Sequence, residues 1–269
     1  EKIVSKVAAL QLHTLAMSDS RIDHYLNLAA KGGASVVVLG EYVINSFFND
    51  IIKMPKSMIK QQSEQKRTSL SMMASKYNLT IIAPLLQVKG KECRKVVAKF
   101  SPQSTKYEEQ NILIDYPHWN EAKFYSKKDN FGVMSFSVDK IKFGVVFGFE
   151  AHFDRIWAEI VAKKVDCVLL PSACTLNSNE RWNELLKMRA LTNNIYIIRV
   201  NRLGKTKFGE VESEFYGQTM LINPHGEIES SLDANEGMLM CDIDKKLITQ
   251  ARSIWKFRQK AEALLGLNI

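Results

Sequence analysis

The 269-residue chain has only four cysteines, Cys93, Cys167, Cys174 and Cys241, and they are scattered. No CxxC pair occurs and no histidine stands at metal-ligand spacing from them. That pattern argues against a disulfide scaffold and a zinc site, and the sequence calls for no metal and no cofactor. No apolar run approaches the roughly 18 residues that a membrane helix needs. The opening segment, Glu1-Lys2-Ile3-Val4-Ser5-Lys6, lacks the apolar stretch and small-residue cleavage site of a signal peptide. A cytoplasmic protein with reduced thiols and no membrane contact is therefore expected. Prolines number six, and no Pro/Gly/Ser-rich linker interrupts the chain, so a single domain over residues 1–269 is expected. The formal net charge is +8, yet the lysines are spread out. The densest clusters, Lys205-Thr206-Lys207 and Lys245-Lys246, are short, and no nucleic-acid motif accompanies them. A solvated lysine-rich surface accounts for the charge, and nucleic acid is not an expected partner.

The chain does contain a regular alternation of strand and helix signals. Residues 6–12 (KVAALQL) read as a strand. Residues 21–31 form an amphipathic helix with Ile22, Tyr25, Leu26 and Ala29 on one face, stopped by Gly32-Gly33. The nearly unbroken apolar run ASVVVL at 34–39 fits a strand buried on both faces. A helix is expected over 62–76, and strands over 79–88, 93–100, 106–114, 133–138 and 140–147. The pattern then becomes helix 153–164, strand 165–170, helix 180–193 and strand 195–200. Strands follow at 216–222 and 237–243, with partly helical structure over 244–265. Alternation argues for an α/β fold. The strand-only stretches imply hairpins, hence mixed sheets packed face to face with helices outside.

In α/β folds ligands sit beyond the carboxyl ends of strands. Three such ends are polar here. The first is Gly40-Glu41-Tyr42, where the carboxylate is either a base in a cleft or a solvated loop residue. The second is Gly148-Phe149-Glu150, where glycine permits close backbone approach. The third is Ser172-Ala173-Cys174, with Thr175 and Asn177 as polar neighbours. His118 and Trp119 are candidates to line the cleft, and Trp119 reads equally well as packing. Glu121 reads as an orienting group or a solvated carboxylate. Glu150 is expected to pair with an arginine such as Arg155 or Arg202.

The segment order resembles the nitrilase superfamily of carbon–nitrogen hydrolases, from Lys6 to about Ile243. KVAALQL resembles its opening strand. ASVVVLGEYVINSFF resembles the segment that carries the family's glutamate, and KFGVVFGFEAHFDRIW the one that carries its nucleophile. VDCVLLPSA, RALTNNIYIIRVNRLG and FYGQTMLINPHGEI resemble later signatures. The resemblance implies a four-layer αββα sandwich with two mixed sheets, a homodimer or higher homo-oligomer, and cofactor-free hydrolysis of nitriles, amides or carbamoyl amines. It also implies a glutamate base, a lysine facing the oxyanion and an attacking cysteine. Glu41 takes the glutamate position. The cysteine position holds Gly148, and the following Phe149-Glu150 matches the family's aromatic–acid pair. Matching QNILIDYPHWNEAKFY without gaps places the lysine position on Gln110; a one-residue slip gives Glu109 or Asn111. Lys106 and Lys123 do not fit the motif. A degenerate site is therefore expected, with Tyr42, His118, Trp119, Glu121, Phe149 and Glu150 as ligand-binding residues. The expected function is binding of a small polar amide-, carbamoyl- or carboxylate-type ligand with the cysteine mechanism lost. The alternative is an active amidohydrolase acting on a small linear amide or N-carbamoyl amine, with Cys174 as a relocated nucleophile.

Overall fold

The computed structural model of the chain describes residues 2–175 and 178–267. Glu1 and Asn177 lie outside them. The first half runs β1 (Val4–Gln11), α1 (Ser20–Lys31), β2 (Val36–Leu39), α2 (Phe48–Ile51), α3 (Lys56–Tyr77), β3 (Thr80–Lys89), β4 (Glu92–Phe100), β5 (Thr105–Glu109), β6 (Asp115–Tyr116), β7 (Trp119–Asn120) and α4 (Glu121–Phe124). The second half opens with β8 (Met134–Val138), β9 (Ile141–Val145), a 3-10 turn (Gly148–His152), α5 (Asp154–Ala162), β10 (Cys167–Ser172), α6 (Asn179–Asn193) and β11 (Tyr196–Asn201). It continues with β12 (Leu203–Phe208), β13 (Val211–Tyr216), β14 (Met220–Ile222), β15 (Ile228–Ser231), β16 (Gly237–Asp244), α7 (Lys245–Trp255) and α8 (Phe257–Leu264).

Two six-stranded sheets result, in the orders β16-β1-β2-β3-β4-β5 and β15-β14-β11-β10-β9-β8. Each has three parallel strands at its centre, β1-β2-β3 and β9-β10-β11, flanked by antiparallel partners. Alternate strand residues face opposite sides, and this divides the core into layers. Val7, Ala9, Val36, Val38 and Ile82 of one sheet meet Phe143, Val145, Leu169, Ile198 and Val200 of the other. The outer face of the first sheet packs on α1 and α3 through residues such as Ala8, Leu10, Val37, Leu26 and Leu70. The outer face of the second packs on α5 and α6 through Val168, Leu170, Ile160, Leu186 and Ala190. The architecture is the expected αββα sandwich.

Several expected boundaries moved. The helix expected over 62–76 begins earlier, at Lys56, directly after Pro55; proline fixes φ and suits a helix start. The strand expected over 106–114 ends at Glu109, because the Glu150 carboxylate captures the next free N–H, that of Asn111. The run expected as one strand over 216–222 is broken at Gly217 and Gln218, both at positive φ. The terminal helical stretch splits at Lys256, where φ is 58°.

Candidate functional site

The carboxyl ends of β2, β9, β10 and β11 converge. Gly40 allows this approach: a Cβ there would stand 3.2 Å from the Val200 carbonyl and 3.3 Å from the Ser172 carbonyl. The Glu41 N–H donates to the Ser172 carbonyl at 3.2 Å, tying the two sheets together. Tyr42 then adopts φ 56°, a conformation uncommon outside glycine. Its carbonyl is held by Thr14 Oγ1 at 2.7 Å and Arg202 Nη1 at 2.8 Å.

Glu41 is buried, and its partner is Lys95 of β4, with Nζ 2.6 Å from Glu41 Oε1. The same ammonium lies 2.9 Å from Glu121 Oε1 and 3.1 Å from Oε2. Glu121 is fully buried and also accepts from the Tyr42 hydroxyl at 2.6 Å and Trp119 Nε1 at 3.1 Å. One ammonium therefore serves two buried carboxylates. Burial pushes the Glu41 carboxyl above the usual range; Lys95 opposes the rise and the Glu121 charge adds to it. Burial acts to lower Lys95, but the charges of Glu121 and Glu41 outweigh it and hold the ammonium above its ordinary value. Tyr42 and Tyr125 stay neutral phenols, pushed well up by burial and the Glu121 charge.

Gly148 faces this group. A Cβ built on it would stand 3.4 Å from Glu41 Oε2, 3.0 Å from Ser172 Cβ and 3.4 Å from the Pro171 carbonyl. Glu41 and Gly148 line a cavity of about 600 Å³ together with His118, Trp119, Phe149 and Cys174. Lys95 does not line it; the ammonium stands behind the carboxylate. Tyr42, Glu121, Gln110 and Glu150 do not line it either. Gln110 is buried, with Nε2 donating to the Ile112 carbonyl at 2.7 Å. Glu150 differs from expectation: its partner is Asn111, whose N–H and Nδ2 donate to Oε2 at 2.9 and 2.8 Å, and not an arginine. Burial pushes Glu150 up to about 7 against these hydrogen bonds.

Cys174 is held by Asn201 of β11. The Cys174 N–H donates to Asn201 Oδ1 at 2.8 Å, and Asn201 Nδ2 donates to the Cys174 carbonyl at 3.2 Å. Burial pushes the thiol up, with the Arg199 charge opposing.

Lys95 escaped the sequence reading because it sits among Arg94, Lys91 and Lys99 in a stretch that reads as a charged strand. A signal was present: it shares strand parity with Cys93 and Val97, both of which are buried. The β12–β13 ribbon was also missed. Its Lys205–Glu212 pair and alternate residues face solvent, while Phe208 packs on the wall residues His118 and Trp119 and Phe215 packs on Phe47.

An αββα sandwich with a buried carboxylate has its cavity at the strand ends, where α/β proteins hold their ligands. The carbon–nitrogen hydrolase family model matches residues 6–253, and the chain belongs to that family. Omega-amidase NIT2 of Homo sapiens is 24% identical over 278 residues, covering 98% of this chain and 98% of its own. N-carbamoylputrescine amidase of Arabidopsis thaliana is 26% identical over 155 residues, 53% of this chain and 52% of its own. The chain thus matches about half the length of the latter. Among solved structures, a carbon–nitrogen hydrolase from Helicobacter pylori has a TM-score of 0.83 at 18% identity, covering 95% of this chain and 94% of that one. A mutant amidase of the nitrilase superfamily from Nesterenkonia gives 0.75 at 17% identity, covering 95% and 97%. At these identities the likeness speaks for the fold.

Proposed function

We propose that this carbon–nitrogen hydrolase homologue binds a small polar ligand bearing an amide, carbamoyl or carboxylate group, and that the family's cysteine route does not operate at Gly148. One observation carries the reading: the residue facing Glu41 across the cavity floor has no side chain. A nucleophile must form a bond to the carbonyl carbon, and a bare Cα offers none. Removing the nucleophile from a cooperating triad costs on the order of 10⁶ in kcat in a serine protease. The ammonium, moreover, lies behind Glu41 and outside the cavity lining. What remains is recognition. Glu41 is held by Lys95 and by the Gly148 N–H, and the lone-pair sites that these leave on its carboxylate accept an N–H from an amide or carbamoyl nitrogen. Trp119, Phe149 and His118 supply the walls.

A second reading has one observation in its favour: Cys174 lines the same cavity as Glu41. In it the Cys174 sulfur attacks the carbonyl carbon of a small linear amide or N-carbamoyl amine while Glu41 takes the thiol proton; the C–N bond breaks, the nitrogen leaves with that proton, and water then hydrolyses the thioester to free the thiol. The raised thiol and the Asn201 clamp weigh against it.

The protein is read as one domain acting as a cytoplasmic homodimer. Exposed Met188 on α6 and exposed Ile254 and Trp255 on α7 support an oligomer, and among the described residues no helix is long and apolar enough to cross a membrane. The test of the binding reading is a titration with propionamide, N-carbamoyl-β-alanine and succinate, followed through tryptophan fluorescence. Saturable binding of at least one amide or carbamoyl probe is expected, weakened about tenfold by Glu41→Gln, the loss of one charge-assisted hydrogen bond. No saturable binding by any of the three would contradict the proposal.

A further inference from the structure

A groove of about 260 Å³ lies on the outer side of the first sheet, between α3 and the end of β3. It shares no lining residue with the cavity at the strand ends. Lys60, Ser63, Glu64 and Arg67 of α3 line one side, and their spacing puts them on one face of the helix. Residues 85–89 of β3 line the other side, with Lys89 at the strand's end.

Ser63 stands at the base of this groove and is only 4% exposed. Its oxygen accepts from Asn45 Nδ2 at 2.8 Å, while its own proton has no acceptor among the described residues. Buried polar groups are as a rule fully bonded, so a hydroxyl with an unused proton is a donor open to a ligand. The charges around it have the matching sign. Glu64, the one carboxylate among the described lining residues, is matched by Lys60 at 3.9 Å. Arg67 and Lys89 have no ion pair or hydrogen bond among the described residues. Glu92, opposite Lys89 on β4, bonds to Arg94 at 3.0 Å, and Glu109 bonds to the same guanidinium at 2.7 Å. Lys56 adds a further cation at the hairpin, where it donates to the Lys91 carbonyl.

We infer that this groove is a binding site for a phosphate-type dianion, free or as the head of a small phosphomonoester, with Ser63 and Arg67 as hydrogen-bond donors and Lys89 as the facing charge. Ser63 and Arg67 are one helical turn apart, so the hydroxyl and the guanidinium approach the anion from the same helix. The planar guanidinium fork matches two phosphate oxygens. The hydroxyl takes a third, and the Lys89 ammonium closes from the strand. A carboxylate has two oxygens and a single charge, and it would leave part of this donor set idle.

Calorimetric titration of the full chain with inorganic phosphate and with glycerol 2-phosphate tests this, at low ionic strength and about pH 8, where both are dianions. Saturable binding of at least one is expected, weakening as salt is raised. Tighter binding of the ester assigns the phosphomonoester as ligand; equal or weaker binding of the ester assigns the free ion. Arg67→Gln should weaken binding about tenfold, the loss of a charge-assisted hydrogen bond, and Ser63→Ala about threefold, the loss of a neutral donor. Lys246→Gln, on α7 outside the groove, should leave binding unchanged. Arg67 and Lys246 are exposed, so these two substitutions leave the fold intact, and urea midpoints check the Ser63 variant. Saturable binding of neither anion would overturn the inference. So would binding undiminished in Arg67→Gln or in Ser63→Ala, which would assign the uptake to the chain's overall charge of +8.

Discussion

Lys95 holds a position that few lysines occupy: fully enclosed, with Glu41 on one side and Glu121 on the other. Removing one partner from a buried ion cluster leaves the others uncompensated, typically a loss of about 3–5 kcal/mol. Lys95→Met should therefore lower unfolding stability by that amount in urea titrations. Adding Glu121→Gln to Lys95→Met should recover part of the loss, because it removes the surplus charge. A loss under about 1 kcal/mol would show that the ammonium is not balancing the carboxylates. Glu41 and Gly148 were legible in the sequence because each follows a strand end inside a longer pattern. Lys95 was not, because its charge is balanced by residues 54 and 26 positions away, and such pairing leaves no local trace.

At the scale of elements, the 3-10 turn at Gly148–His152 is joined to the segment after β5 through Glu150 and Asn111. This link shapes the cavity floor from below. Glu150 has a folded value of about 7 against an ordinary 4.5. The folded chain thus keeps a proton that the unfolded chain has already lost between those values. By linkage, Glu150 lowers stability as pH rises from about 4.5 to about 7, and the effect is complete above that window. Urea midpoints measured across it should show this decline, and Glu150→Gln should flatten it. An unchanged slope in the variant would assign the decline to other groups. Strands β2, β10 and β11 could be read from sequence because both their faces are buried and their residues are mainly apolar, with only Arg199, Asn201 and Ser172 as polar members. The β12–β13 ribbon could not, since its outer residues face water and only its aromatic ends pack.

The whole molecule repeats one plan twice: three parallel strands, antiparallel flanks and a helical outer layer. Packing the two sheets face to face brings the ends of β2 and β9 together from opposite halves of the chain. Segment order made this sandwich readable in advance. The charge cluster beside the cavity was not, because Glu41, Lys95 and Glu121 come together only in the folded chain. The central proposal is that the cavity does not run the family's cysteine chemistry. It is tested most directly by incubating the full chain with succinamide and N-carbamoyl-β-alanine, then reading ammonia release and intact mass on the same samples. The account predicts ammonia at the level of the protein-free blank and an unmodified mass. Ammonia release accompanied by an acyl or carbamoyl adduct mapped to Cys174 would contradict it.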